Sequence, residues 1–187
     1  MGFKEEEAKV TLEDAGKQIR KICKRLALLH LSFSKTIIRE LGNEKGKKLV
    51  LKAIKNYGIL IGEEIRCRVL KEGLDNSPEN YKNDLPSYGL YDSTVKKYIN
   101  GEERKCVYGC AMGKVWKELG ENEIGKYYCY VDPAKYMAFN PNYKLIHVKS
   151  LPNGDDYCEF KIKPTTKRER EDFFKSNRDW SYIDEYK

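Results

Sequence analysis

An α+β fold, with long N-terminal helices packed against a small antiparallel sheet that ends in a C-terminal hairpin, follows from three features of the sequence. Two apolar runs at helical spacing occupy most of residues 12–71. A stretch rich in Asn, Asp, Pro, Ser and Gly interrupts the chain at 74–91, and two alternating segments flank Asn153-Gly154. At 187 residues the chain is expected to make one domain. Its parts are a helical half (1–73), a loop (74–91), a helix-plus-sheet part (92–163) and a charged C-terminal arm (164–187).

In the first helix, Leu12, Ala15, Ile19, Ile22, Leu26, Leu29, Phe33 and Ile37 alternate by three and four, forming one apolar stripe of an amphipathic helix. Thr11 with Asp14 caps its start, and Gly42-Asn43 stops it. The second helix, from about Glu44 to Lys71, carries Leu49, Ala53, Tyr57, Leu60, Ile61, Ile65 and Val69. Its Gly58 and Gly62, four apart, admit a close-packed neighbouring backbone or a ligand. The long 74–91 loop is of the kind that often carries function.

Asp92 then caps a short helix through Ile99. "CVYGCAMGKVWKELG" reads as another, from Cys106 to Leu119, with Cys106 and Cys110 on one face. "GKYYCYV" alternates as a strand, and Asp132-Pro133 opens a short helix that Asn140-Pro141 ends. "YKLIHVKSL" and "DYCEFKI" pair through a two-residue Asn153-Gly154 loop. That register sets Lys149 opposite Cys158 and His147 opposite Phe160, with Leu145, His147, Lys149, Leu151, Asp156, Cys158, Phe160 and Ile162 on one face. After Pro164 the charged tail carries Phe173, Phe174, Trp180 and Tyr182, which suit a docking arm or an oligomer contact such as a homodimer.

The net charge of +7 comes from 36 Lys and Arg dispersed among 29 Asp and Glu, a pattern of solvated surfaces. Nucleic acid is therefore not the expected partner, although tyrosines interleaved with lysines in "GKYYCY" and "VKKYI" suit a stacking platform as well as strand faces. No segment has the length and apolarity of a membrane span, and the first residues, "MGFKEEEAK", lack the pattern of a signal peptide. A cytoplasmic location is expected. There, six irregularly spaced cysteines act as thiols, metal ligands or catalytic groups rather than a disulfide framework.

Two constellations carry chemistry. Cys106, Cys110, Cys129 and Cys158 form an alternative zinc set, with His147 able to replace one of them, but the spacing includes no CxxC pair. Buried thiols are the competing reading. A hydrolytic site needs no cofactor: His147 serves as base, Cys129 or Cys158 as nucleophile, Asp132 as its acidic partner, and Lys149 with Asp156 as substrate-binding groups. Each also has a structural alternative, Asp132 as a helix cap, Asp155 and Asp156 as turn residues, and Lys149 as an edge-strand charge. His30 reads as a core or boundary residue. No phosphate loop, HExxH or dinucleotide fingerprint is present.

The order Trp116 with Leu119-Gly120, Cys129 with Asp132, and Gly154-Asp155 with Cys158 and Phe160 resembles the L-2-amino-thiazoline-4-carboxylic acid hydrolase family. The likeness is strongest over residues 105–162. It implies a small-molecule substrate: water adds at the amidine carbon of a 2-aminothiazoline, the C–S bond breaks, and an N-carbamoyl cysteine forms. In that setting His147 is the expected base, a nearby Asp the acid for the departing sulfur, and Lys149 the anchor for the carboxylate. A more distant similarity, in element order and the Gly-Asp-x-x-Cys-x-Phe ending, is to vinyl-reductase-like sensor domains. It implies a non-catalytic module binding a small ligand or zinc, with Cys129 and Cys158 among the ligands.

Overall fold

The computed structural model describes residues 10–82 and 85–184. Residues 1–9, where the absence of a signal peptide was read, lie outside them, as do two residues of the loop and the last three of the arm. In chain order the elements are α1 (Leu12–Leu41), α2 (Asn43–Lys71), β1 (Ser93–Ile99), β2 (Glu102–Tyr108), α3 (Ala111–Glu118), α4 (Asn122–Cys129), α5 (Val131–Phe139), β3 (Tyr143–Lys149), β4 (Cys158–Pro164) and α6 (Lys167–Phe174). The antiparallel sheet runs β1-β2-β4-β3, which makes β3 an edge strand. The fold is α+β, as the sequence predicts.

Small residues set the helix packing. The Thr11 hydroxyl accepts the Asp14 amide at 3.1 Å to start α1, and Gly42, at φ +75°, turns the chain into α2. A Cβ on Gly58 would stand 2.5 Å from the Ala134 Cβ, and one on Gly62 would stand 2.2 Å from the Lys135 carbonyl oxygen. The predicted close approach is therefore realised, and α5 is the neighbour. It seats the first turn of α5, which carries Asp132, against α2.

The predicted stripe of α1 needs correction. Ile22, Leu26, Leu29 and Phe33 are 40–62% exposed, whereas the buried ridge is Gly16, Cys23, Ala27, His30, Leu31 and Ser34. These smaller side chains let α1 lie close to α3, where Trp116 donates its indole N–H to the Ala27 carbonyl at 3.4 Å. His30 belongs to this core, its Nε2 3.0 Å from the Ile124 carbonyl oxygen. The same displacement occurs in α2, where Leu49, Tyr57 and Leu60 face outward and Val50, Leu51 and Ile54 face inward.

Three further assignments change. Residues 93–99 are strand β1 rather than a helix, because Asn100 and Gly101 take φ +54° and +77° and turn Ile99 back onto Glu102. Both central residues at positive φ is the conformation of a tight hairpin turn. Cys106 consequently lies in β2, while Cys110 caps α3, so the two do not share a helical face. "GKYYC" is part of helix α4, where Gly125 lies against the Trp116 indole so closely that a Cβ would be 2.4 Å from it.

The β3–β4 hairpin keeps the predicted pairing of His147 with Phe160, then a bulge after His147 shifts the ladder so that Lys149 pairs with Glu159 and not with Cys158. The predicted two-residue loop does not form. Leu151–Asn153 make a 3-10 turn instead, Gly154 takes φ +99°, and Ser150 and Asp155 clasp across it, amide to carboxylate at 2.7 Å. Pro152 has no N–H to offer a ladder, which ends the strand early. Beyond Pro164 the arm docks through Phe173 and Trp180, both buried, while Phe174 stays exposed. Among the described residues, no helix is long and apolar enough to cross a membrane.

Candidate functional site

Where α4 ends and α5 begins, the chain faces the hairpin, and four predicted site residues approach one another there. Cys129 is the last residue of α4, Asp132 stands in the first turn of α5, His147 projects from β3, and Cys158 opens β4. His147 is held at both nitrogens. Its Nε2 is 3.5 Å from Asp132 Oδ2, and its Nδ1 is 2.9 Å from Asp184 Oδ2. Asp184 Oδ1 also accepts the His147 backbone N–H at 2.8 Å, so one carboxylate fixes both the strand edge and the ring. On the other side of Asp132, Lys135 Nζ lies at 2.6 Å. Phe160 packs on the imidazole with ring centroids 4.8 Å apart.

This row of alternating charges determines protonation. Burial opposes a charged imidazole, but Asp184 and Asp132 together outweigh it and raise the His147 pKa to about 10. The ring is an imidazolium at neutral pH, with a proton on each nitrogen. Burial likewise opposes the Asp132 carboxylate, yet Lys135 and His147 hold its pKa well below the usual range. The sequence reading made His147 the base and an Asp the acid. The geometry pairs the opposite states: a carboxylate ready to accept and an imidazolium able to donate.

The thiols are neutral. Burial, followed by the charge of Asp132, pushes the Cys129 thiol far up, burial lifts Cys158 to about 12, and burial raises Cys110 as well. The Cys158 sulfur accepts the Leu151 amide at 3.4 Å, a structural contact that ties the turn to β4. The four cysteines considered for zinc are not gathered. Cys106 is cross-strand from Glu159 while Cys158 is cross-strand from Val107, so Cys106 and Cys158 point to opposite faces of the sheet. Among the described residues no three His, Cys, Asp or Glu side chains converge as metal ligands.

Lys149 and Asp156 lie apart from this cluster. The bulge turns Lys149 to the other side, where Nζ donates to the Tyr157 hydroxyl at 3.1 Å and sits 4.7 Å above its ring, and Asp156 is exposed in the turn. Four groups that the sequence reading missed take their place. Lys135 follows Asp132 by three on a helix, a readable signal. Lys105 pairs with Phe160, and Phe160 with His147, which puts Lys105 on the imidazole side of the sheet. Burial lowers the Lys105 pKa and so does the Lys135 charge, while Asp132 raises it. Tyr91, the last residue of the predicted loop, is a neutral phenol, its pKa raised by burial and then by Asp132, Cys110, Cys158 and Cys129. Asp184 comes from the arm, and no local pattern announces it.

Fold and geometry together define an α+β protein with a row of alternating charges at a helix–sheet junction. The chain belongs to the L-2-amino-thiazoline-4-carboxylic acid hydrolase family, whose profile matches residues 20–162. Comparison with curated proteins and with solved structures gives no match. The matched stretch contains Cys129, Asp132, His147 and Cys158 and ends before Asp184.

Proposed function

We propose that the chain hydrolyses the C–S bond of a small cyclic amidine bearing a carboxylate, as the family name suggests, at the Asp132–His147 centre. The observation that carries this reading is the charge row Lys135–Asp132–His147–Asp184, linked by contacts of 3.5 Å or less in a chain of that family. A carboxylate matches the two N–H groups of an amidinium, as it matches a guanidinium. Asp132 is thus placed to hold the amidine, and the cationic Lys105 on the same side of the sheet to hold the substrate carboxylate.

Water adds to the amidine carbon, giving up its proton to Asp132 as the C–O bond forms. Collapse of the tetrahedral intermediate breaks the C–S bond as its hydroxyl loses a proton to solvent and becomes the urea carbonyl; the His147 Nε2 proton goes to the departing sulfur, and the proton on Asp132 then restores the imidazolium. Asp132 is a weak base because its pKa is held down, so the larger contribution is electrostatic: fixed cations at His147 and Lys135 oppose the charge developing on sulfur. A thiol of ordinary pKa, about 8.5, needs little further help to leave. The neutral cysteines line the site and do not attack.

The test is release of free thiol from 2-aminothiazoline-4-carboxylate, followed with a thiol reagent. Wild-type protein is expected to turn over, and Asp132→Asn to lose about 100-fold or more in kcat/KM, the scale of a lost acid–base group. Wild-type protein without turnover, carrying one tightly held zinc per chain, would replace this reading with the sensor alternative.

A further inference from the structure

Away from this centre, α2 carries Lys45, Lys48, Lys52 and Lys55 at spacings of three, four and three, one stripe on the helix. The stripe faces residues 176–181 of the arm across a cavity of about 580 Å³, the size of a small-ligand site. Six cationic side chains line it against two acidic ones, Glu44 and Asp179. Asp179 is turned onto the Ser181 amide and hydroxyl, at 2.9 and 2.8 Å, and Arg178 is held by Asp172 at 2.7 Å. Among the described residues, Lys45, Lys48 and Lys52 have no carboxylate within ion-pair distance. Like charges at these spacings repel.

Lys55 forms the floor. It is only 4% exposed, and its ammonium donates to the carbonyls of Phe173 and Lys175 at 2.9 and 3.3 Å. An ammonium has three protons, so one remains beyond those two carbonyls. Its other neighbours are the Phe173 and Trp180 rings, 5.7 and 6.0 Å away. Among the described residues no carboxylate pairs with this buried cation at the base of the lysine-lined groove.

We propose that this groove binds an elongated polyphosphate, either free or as the tail of a nucleotide. Lys45 to Lys55 spans about 15 Å at 1.5 Å per residue, which matches charges strung along a chain better than a single carboxylate. Lysine is a point-charge phosphate binder that needs no fixed fork geometry.

Calorimetric titration of the whole chain with sodium tripolyphosphate at low ionic strength tests the site. Saturable one-to-one binding is expected, weakening as salt rises. The double variant Lys48→Glu, Lys52→Glu should bind about tenfold more weakly or worse, and the control Lys21→Glu, Lys24→Glu on the exposed side of α1 within about twofold of wild type. All four positions are exposed, so both variants should melt as wild type does. ATP binding no tighter than tripolyphosphate assigns the site to the phosphate chain alone, and tighter binding to a nucleotide; both support it. Equal weakening in the two variants, no saturable binding, or tighter binding of a single-stranded RNA oligomer overturns it. Binding is read without substrate, so the outcome is independent of the hydrolytic reading.

Discussion

Both faces of the small sheet bury charge, and they treat it differently. On the α5 side each nitrogen of His147 meets a carboxylate, and Asp132 meets a second cation in Lys135. On the opposite side Arg104 and Glu159 are as deeply buried, but they stand 3.7 Å apart. Nε and Nη1 of Arg104 have no hydrogen-bond partner there, and Nη2 reaches out to Glu102. Cys106, cross-strand from Glu159, is fully buried beside them. One face holds His147 and Asp132 in charged form and leaves Asp132 and Lys135 partly open to solvent. The other pays desolvation for a loose pair with no such opening, which is why the first reads as a site and the second as packing.

Removing a partner on each face breaks the comparison. His147→Ala removes the cation that stands between Asp132 and Asp184, and is expected to abolish thiol release and cost about 3–5 kcal/mol in urea unfolding. Arg104→Met should cost about 3 kcal/mol in the same measurement by stranding Glu159, without a comparable fall in kcat/KM. The double change Arg104→Met, Glu159→Leu should recover to within about 1 kcal/mol of wild type, since an apolar pair replaces a poorly bonded ionic one. A double variant less stable than the single one would mean that the Arg104 pair is as well made as the His147 row.

Asp184→Asn sharpens the contrast through pH. It keeps the shape but removes the charge that is the strongest influence raising His147, and should cost about 1–3 kcal/mol near neutrality. Because the folded-state pKa of His147 is raised, its stabilisation is complete below the ordinary value of 6.5 and fades as pH climbs to about 10. Asp132, with a depressed pKa, contributes above 3.8 and loses its contribution on acidification below that. Melting temperature plotted against pH should therefore fall between 6.5 and 10 in wild type and fall less in Asp184→Asn. The smallest expected effects separate the two lysines flanking the sheet. Lys105→Ala should raise KM about tenfold, the loss of one charged hydrogen bond, and Lys149→Ala less than about twofold.

The sequence exposed the large elements and the residues that gather around His147, and the reasons for its failures are local. The same dipeptide, Asn-Gly, occurs twice. At 100–101 it makes the tight turn although Asp92 upstream resembles a helix cap; at 153–154, where the sequence predicts that turn, Pro152 and the Ser150–Asp155 clasp impose a longer one. His147, Asp132, Cys129 and Cys158 were legible because register and capping constrain positions close in sequence. The bulge that removes Lys149 has no sequence signature, and Lys105 and Asp184 reach the imidazole only through strand order and the docking of the arm. The α1 stripe misled because small residues, not large ones, make its packed ridge.

Asp184 lies beyond the stretch that the family profile covers, yet it is the charge that most raises the proton affinity of His147. The arm thus contributes to how tightly a residue of the sheet holds its proton. A different arm docked on the same helices and sheet would be expected to change the proton affinity of His147 with no change to Asp132 or Lys135.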